Sequence, residues 1–422
     1  MYLVVGDTRY DEIGELSFVP ETDVTGSEMP VNQLRAVVVT DDPVQVGGRV
    51  SLYDDMGTLW ARYWVTYADK TGPHMVEVTG QSAVKQLERD RLDPVMYDAT
   101  PVADVLAVVM ARLGGEWSLD PSFTGRTITG FCPQQTARTR LQWVCMAIGA
   151  YVRDYFGDRP QILPVPDDPV LIPASQTFFR PKVTYLDYVT AVRATYYSYT
   201  EREPTRTESY VEAGGRVYVE ESHEVTLRNP AAPPTALENV VTLDGVTIVG
   251  YSNVDDILSQ MARFHFMRMS ADADVIDNGE WEPGQLVYVQ VDDERMVLGH
   301  IASCDFSFGL QARAALSIAS ADDAPSATVT VSYEWDGMQV GKRSFRLPTG
   351  YEYEIATEHV DVTYEGHRYI LVPTVAGVTG TVAEDGNSHV VQMGVGLDWY
   401  DGDLHIHMAD QAGLEDGTLS IG

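Results

Sequence analysis

Cysteine is nearly missing from this 422-residue chain: Cys132, Cys145 and Cys304 are too few and too scattered for a disulfide framework or a zinc site. Positive charge is scarce too, with 29 Lys and Arg against 62 Asp and Glu, a formal net charge of −33. Such a field repels phosphate backbones and anionic bilayers, which argues against specific nucleic-acid binding. No apolar run approaches the roughly 20 residues of a membrane-spanning helix. The opening Met1-Tyr-Leu-Val-Val-Gly-Asp7 has neither the basic start nor the apolar core of a secretory signal. The expectation is a chain that folds in a cytosol and reaches any exterior site by another route. Also missing are His-Glu-x-x-His, Gly-x-Ser-x-Gly and a phosphate loop, so no catalytic or cofactor-binding residue is assigned. What the chain does have is an ordinary hydrophobic content of 44%, enough for several separate cores.

Its patterning is mainly β with α+β parts. Strand-like runs at Val37–Val39, Arg49–Tyr53, Leu59–Val65 and His74–Val78 are separated by turn chemistry at Asp41-Asp-Pro43, Asp54-Asp-Met-Gly57 and Asp69-Lys-Thr-Gly72. A short helix is expected over Ser82–Arg89. A longer one follows, with Thr100 as cap, Pro101 at the first position, Val102, Leu106, Val109 and Leu113 on the buried face, and Gly114-Gly115 as stop. A strand at Arg126–Phe131 then leads to a helix capped by Thr136 and closed by Gly149. Leu141, Val144, Cys145 and Ile148 form its apolar stripe. Tyr151–Tyr155 and Gln161–Val165 read as a hairpin. This compact α/β unit lies between two long β-rich regions.

Pro160 to Pro173 has connector composition. Strands follow at Lys182–Tyr199, Arg216–Glu220 and Val225–Leu227, with a hairpin over Val240–Val249 turning at Asp244-Gly245. Asn253 and Asp256 can cap a helix whose face is Val254, Ile257, Leu258, Met261 and Phe264. Gln285–Val291, Arg295–Ala302 and Ala312–Ile318 complete the region. Val46-Gly-Gly-Arg-Val-Ser-Leu-Tyr53 and Glu282-Pro-Gly-Gln-Leu-Val-Tyr-Val289 share a plan, a glycine leading into an alternating strand and an acidic turn. That plan fits either an internal duplication or the common form of antiparallel hairpins. Ala319–Ser326 reads as a linker to a last β module with Trp335, Tyr351, Tyr353, Tyr364, Tyr369, Trp399 and Tyr400 as its aromatic set.

Few residues carry candidate chemistry. His405 and His407 alternate along a strand and, with Asp401, Asp403 or His389, suit either a metal or a polar strand face; no metal site is assigned. His265 reads as a packed helix histidine. Tyr196, Tyr197 and Tyr199 suit a sugar groove or a simple strand preference.

The order of parts resembles the baseplate or tail-tip hub proteins of tailed phages, prophage tails and contractile injection particles. The resemblance rests on Pro43–Tyr53, on Gly130-Phe-Cys-Pro with Thr136–Ala150, on the helix from Asn253 to Met269, and on Glu282–Val289; it covers roughly residues 1–320. It implies two tail-tube-like β-barrel domains, at 1–90 and 174–320 (the latter with helix 253–269), joined by a small α/β domain at 91–173. A C-terminal β module would occupy 327–422. It further implies a non-enzymatic homotrimer in the virion tail, assembled in the host bacterial cytoplasm. Its partners would be the tail tube or distal tail protein, a spike or tape-measure protein and other baseplate proteins. The chain would form part of the DNA passage and serve DNA ejection and host attachment. Many such relatives continue into a peptidoglycan-cutting domain, which makes a tail-associated hydrolase the rival expectation. The last module is more weakly similar to mucin-binding-type β domains, through Leu347-Pro-Thr-Gly-Tyr-Glu-Tyr353 and Gly366-His-Arg-Tyr-Ile370. That likeness implies a carbohydrate-binding adhesin contacting host wall carbohydrate.

Overall fold

The computed structural model describes residues 1–326 apart from 158, 173–175, 277–280, 293–294 and 308–312, and beyond 326 the backbone of strands alone. One antiparallel sheet takes up the start of the chain: β1 (Tyr2–Val5), β2 (Thr8–Tyr10), β3 (Ile13–Val19), β4 (Gln33–Val39), β5 (Arg49–Tyr53), β6 (Leu59–Gly72) and β7 (Met75–Gln81), ordered β2-β1-β5-β6-β7-β4-β3. Alternation puts Val50, Leu52, Ala61, Tyr63, Val65 and Val78 on one buried face. The turn expected at Asp69–Gly72 is instead strand, because Asp69 and Lys70 extend the ladder opposite Glu77 and Val76. The reversal falls on Pro73 and His74. Proline presets the first turn position and His74 takes the left-handed second one at φ 60.

The α/β unit begins with β8 (Arg91–Leu92), β9 (Val95–Pro101) and α1 (Val102–Met110), then β10 (Ser118–Leu119), β11 (Thr127–Cys132), β12 (Gln135–Thr136), α2 (Ala137–Ile148), β13 (Ala150–Arg153) and β14 (Gln161–Pro164). Helix α2 follows its sequence signals closely. The Thr136 hydroxyl accepts from the Thr139 amide at 3.1 Å, Gly149 closes the helix at φ 74, and Leu141, Val144, Cys145 and Ile148 are all buried. Helix α1 starts without a side-chain cap, since Thr100 and Pro101 still belong to β9.

Next come β15 (Val170–Ile172), β16 (Lys182–Tyr185), a long β17 (Ala191–Glu201), β18 (Ser209–Ala213), β19 (Arg216–Arg228), β20 (Val240–Leu243) and α3 (Val254–His265). Then follow β21 (Met269–Ile276), β22 (Leu286–Asp292), β23 (Arg295–Ser307) and β24 (Arg313–Asp323). Six of these form the second large sheet, ordered β15-β22-β23-β24-β21-β16, while β17–β20 make a separate sheet inserted between β16 and β21. Asp244-Gly245 does turn, but no strand returns. Val246, Ile248 and Val249 are buried beneath the inserted sheet instead, and only β20 pairs there, parallel to β17. Burying three apolar side chains outweighs the exposed half of a hairpin.

Setting the insertion aside, the two large sheets have the same plan. In the first, β3 to β7 lie in the order 5-6-7-4-3; in the second, β16, β21, β22, β23 and β24 lie in the order 22-23-24-21-16, antiparallel throughout. Loop hydrogen bonds repeat as well. The Gly47 amide donates to Val65 O and the Val65 amide to Gly48 O; likewise the Gly284 amide donates to Ile301 O and the Ile301 amide to Gln285 O. Both lead glycines are left-handed, at φ 91 and φ 87. This register matches Trp64 to His300, since each faces the first residue of the preceding strand.

Of the residues expected to form a linker, Ala319–Asp323 are strand. β24 runs through Asp323, Ala321 is wholly buried, and the small side chains are needed there because a Cβ on Gly299 would lie 2.6 Å from that of Ala321. Two cores result. One joins both large sheets; the other holds α1, α2, the inserted sheet and α3, whose Val254, Ile257 and Leu258 pack away from the second sheet. Beyond Pro325, β25 (Ser326–Trp335) and β26 (Met338–Pro348) pair as a hairpin. A five-stranded sheet follows, ordered Ala383–Glu384, Gly396–His405, Val360–Val372, His407–Met408, Gly417–Thr418.

Candidate functional site

The two large sheets are fixed to one another at a junction built largely by the β13–β14 hairpin. Just after β3, the chain leaves the first sheet and pairs with β23: the Thr22 amide donates to Ala302 O at 2.9 Å and the Cys304 amide to Pro20 O at 3.0 Å. An aromatic knot fills the space beside this crossing. Phe306 of β23 lies 6.1 Å from Phe18, 5.3 Å from Trp60 and 6.1 Å from Phe156, ring centre to ring centre. Phe156 comes from the hairpin loop, whose Gly157 amide donates to Trp60 O at 2.8 Å. Edge-to-face and tilted rings at these spacings add to the area they bury.

The hairpin also grips each sheet by polar bonds. Tyr63 of the first sheet donates to Tyr155 O at 3.1 Å, and the Tyr155 hydroxyl donates to Pro283 O beside the second. Arg153 forks onto Glu282 Oε2 at 2.9 and 2.7 Å. Below lies the buried carboxylate of Asp154, accepting from Asn32 Nδ2 at 2.9 Å and the Val84 amide at 3.4 Å. Burial raises its pKa, opposed by the Ser82 and Asn32 hydrogen bonds. Asn32 ties back to Ser82, so the end of the first sheet, the short helix after it and the hairpin form one network.

A cleft of about 440 Å³ opens beside this junction, between the end of α2, the side of α3 and residues 164–167. Arg126 and Arg263 line it, facing Asp256 at 3.9 Å and Asp167 at 3.7 Å. His300 packs nearby against the ring of Phe264 at 5.4 Å, with Nε2 3.3 Å from Pro166 O. Burial holds this imidazole down at about 4. Nothing here pairs a nucleophile with a base.

The residues singled out in the sequence are dispersed. All three cysteines are buried, and burial pushes the Cys145 thiol up to about 12, far from nucleophilic use. Tyr197 donates to Asp244 at 3.2 Å, Tyr199 donates to Thr247 O at 3.1 Å, and Tyr196 stacks on His223, so the three tyrosines do not line one groove. His265 is half-buried on α3 with its pKa lowered by burial. His405 pairs in register with Thr363 and His407 with Thr418, on successive strands; His389 lies outside the described residues. Among the described residues, no three His, Cys, Asp or Glu side chains gather as a metal site would require, and no helix is long and apolar enough to cross a membrane. Sequence reasoning missed the junction residues Phe18, Trp60, Phe156 and Phe306. Their only signal was being apolar in strands and a turn.

Two like sheets meet at this junction and share one core, while the α/β parts and α3 form another. Among solved structures the chain is similar to the tail protein from Neisseria meningitidis MC58, at 12% identity and a TM-score of 0.52 over 75% of this chain and 95% of that one. It is similar also to the 43 kDa tail protein of prophage MuSo2 from Shewanella oneidensis, at 11% identity and a TM-score of 0.51 over 76% and 99%. No family model and no curated protein matches the sequence. The chain has the fold of these tail proteins, mainly β with few helices, as the resemblance in its sequence implied.

Proposed function

We propose that the chain is a structural component of a phage tail or phage-tail-like particle, and within it the non-enzymatic hub of the baseplate or tail tip. In this reading three copies form a ring that joins the tail tube or distal tail ring to a spike or tape-measure end, and encloses part of the DNA passage. One observation carries it: the same five-strand order occurs twice in one chain. Three copies then present six like sheets, which matches a six-fold tube to a three-fold spike. The net charge of −33 suits a passage to which a polyanion must not stick. Strands β3 and β16 stand last in the two sheets, and sheet edges are the kind of surface that ring closure covers.

The test is sedimentation of the purified protein alone and with tube or distal tail protein, followed by particle averaging in the electron microscope. A trimer with pseudo-six-fold density is expected; a chain that stays monomeric within the assembled particle overturns the hub. Incubation with purified cell walls should release no new reducing or amino ends, and release would move the reading to a tail-associated hydrolase.

A further inference from the structure

Strand β19 of the inserted sheet is paired along its whole length on one side only. It pairs with β17 from Tyr218 to Arg228, yet on its other side β18 reaches only from Arg216 to Glu220. The Tyr197 amide donates to Val249 O, away from β19. Alternation therefore turns the peptide groups of Tyr196 and Ser198 towards those of His223 and Glu221. It sends the peptide groups of Ser222, Glu224, Thr226 and Arg228 to the outer edge. Among the described residues, none of these four outward groups has a backbone partner. All four residues are exposed, so this stretch of the edge is open to solvent.

The side chains along it are complementary to themselves. Glu224, Thr226 and Arg228 share one face, and Val225 and Leu227 share the other. Val225 is half-buried and Leu227 is 40% exposed. Among the described residues Arg228 has neither an ion pair nor a side-chain hydrogen bond. Arg193 lies beside the other two: its Nε donates to Thr226 Oγ1 at 3.3 Å, and its Nη1 is 4.0 Å from Glu224, whose side chain stays 65% exposed. Set antiparallel to a second copy, with Thr226 facing Thr226, the edge places Glu224 opposite Arg228 and Arg228 opposite Glu224. Val225 then meets Leu227 twice on the other face. In this register the peptide groups of Glu224, Thr226 and Arg228 exchange hydrogen bonds across the edge, and every facing pair is matched in charge or apolarity. A slip of two residues either way loses both charge pairs. Glu224 then faces Thr226 with Arg228 opposite Ser222, or Glu224 faces Pro230, which has no N–H to give.

We propose that two copies of this chain join edge to edge through Glu224–Arg228 of β19, making one continuous sheet of their inserted sheets. The contact is isologous, the same patch used twice, so it is separate from any contact that closes a three-copy ring. It covers an edge that would otherwise take up any extended strand.

The test is analytical sedimentation of the full chain, T226P, R228E, E224R and an equal mixture of the last two, each also followed by thermal unfolding. The full chain should be a dimer, or two joined rings where three copies also close, and T226P should halve it. Proline there removes the N–H at the two-fold centre, which donates to nothing inside the chain, and edge positions tolerate it. R228E sets acid opposite acid and E224R sets base opposite base, so each alone should self-associate more weakly, on the order of tenfold or more. Their mixture restores both charge pairs and should associate like the full chain. If T226P fails to fold, the charge variants and their mixture decide the matter. Pairing that survives the charge variants, or a mixture that recovers nothing, overturns the proposal. A trimer indifferent to every substitution overturns it too and leaves the hub reading intact. A chain that is single alone, and uses this edge only with purified tube or distal tail protein, overturns self-pairing in favour of that partner.

Discussion

Burial holds the imidazole of His300 at about 4 against an ordinary 6.5; its contact with Pro166 O opposes this, and Arg263 adds a smaller push downward. The unfolded chain therefore takes up a proton before the folded one as pH falls. Stability from this group is full above pH 6.5 and drains away down to about 4. Between pH 7 and 5 the loss should be roughly 2 kcal/mol. His300→Gln should remove that slope, which chemical denaturation at the two pH values would measure; an unchanged slope would mean other groups control it. Gly130 is a steric counterpart. Its φ is 124, and a Cβ there would lie 2.8 Å from Thr247 O and 3.0 Å from Ile248 Cα, both backbone atoms. Gly130→Ala should cost about 3 kcal/mol, from left-handed strain and forced separation of β11 from the segment after β20. A thermal midpoint within a degree or so of the parent would show that the segment gives way freely.

At the scale of elements, local signals fared better than long-range ones. Helix α2 was legible from Thr136 to Gly149 because cap, stripe and stop are all local chemistry. Helix α3 was legible as a helix, yet not the core it joins, since an apolar face does not name its partner. Asn253, expected to cap α3, turns backwards: its Oδ1 accepts from the Gly250 amide and its Nδ2 donates to Ile248 O, and no side-chain cap bond is made. Ala319–Asp323 misled most, because alanine and serine read as a linker where they are in fact the small residues that close packing needs. This changes where the chain should be cut. Ending at Ser320 would remove the last residues of β24, including Ala321 and the Asp323 that pairs with Arg295 at 2.8 Å. Ending after Pro325 should leave a folded protein with its main unfolding transition unchanged and its self-association intact. Calorimetry and sedimentation of that shortened chain check this, and aggregation would show that the later strands belong to the same cooperative unit.

For the whole molecule, the aromatic knot joins the two large sheets in one core. Phe306→Ala should cost about 3–5 kcal/mol. The loss should appear as lower stability of both sheets together, because one core contains residues of each. Hydrogen exchange separates the cases: if only amides of β21–β24 lose protection, the sheets are independent. The crossing at residues 20–22 has a further consequence, for synthesis. Although the Glu21 amide also donates to nearby Asn32 Oδ1, the backbone pairing of those residues is with Ala302, Ser303 and Cys304, near the far end of the described fold. While the chain emerges from a ribosome, Phe18 can meet Trp60, Tyr63 and Phe156 early, but the side that stacks on Phe306 stays uncovered until β23 has been made. Contacts so distant in sequence fold slowly and expose apolar surface meanwhile. A nascent chain paused before residue 302 should bind chaperones and resist proteases poorly, and one released after residue 325 should do neither.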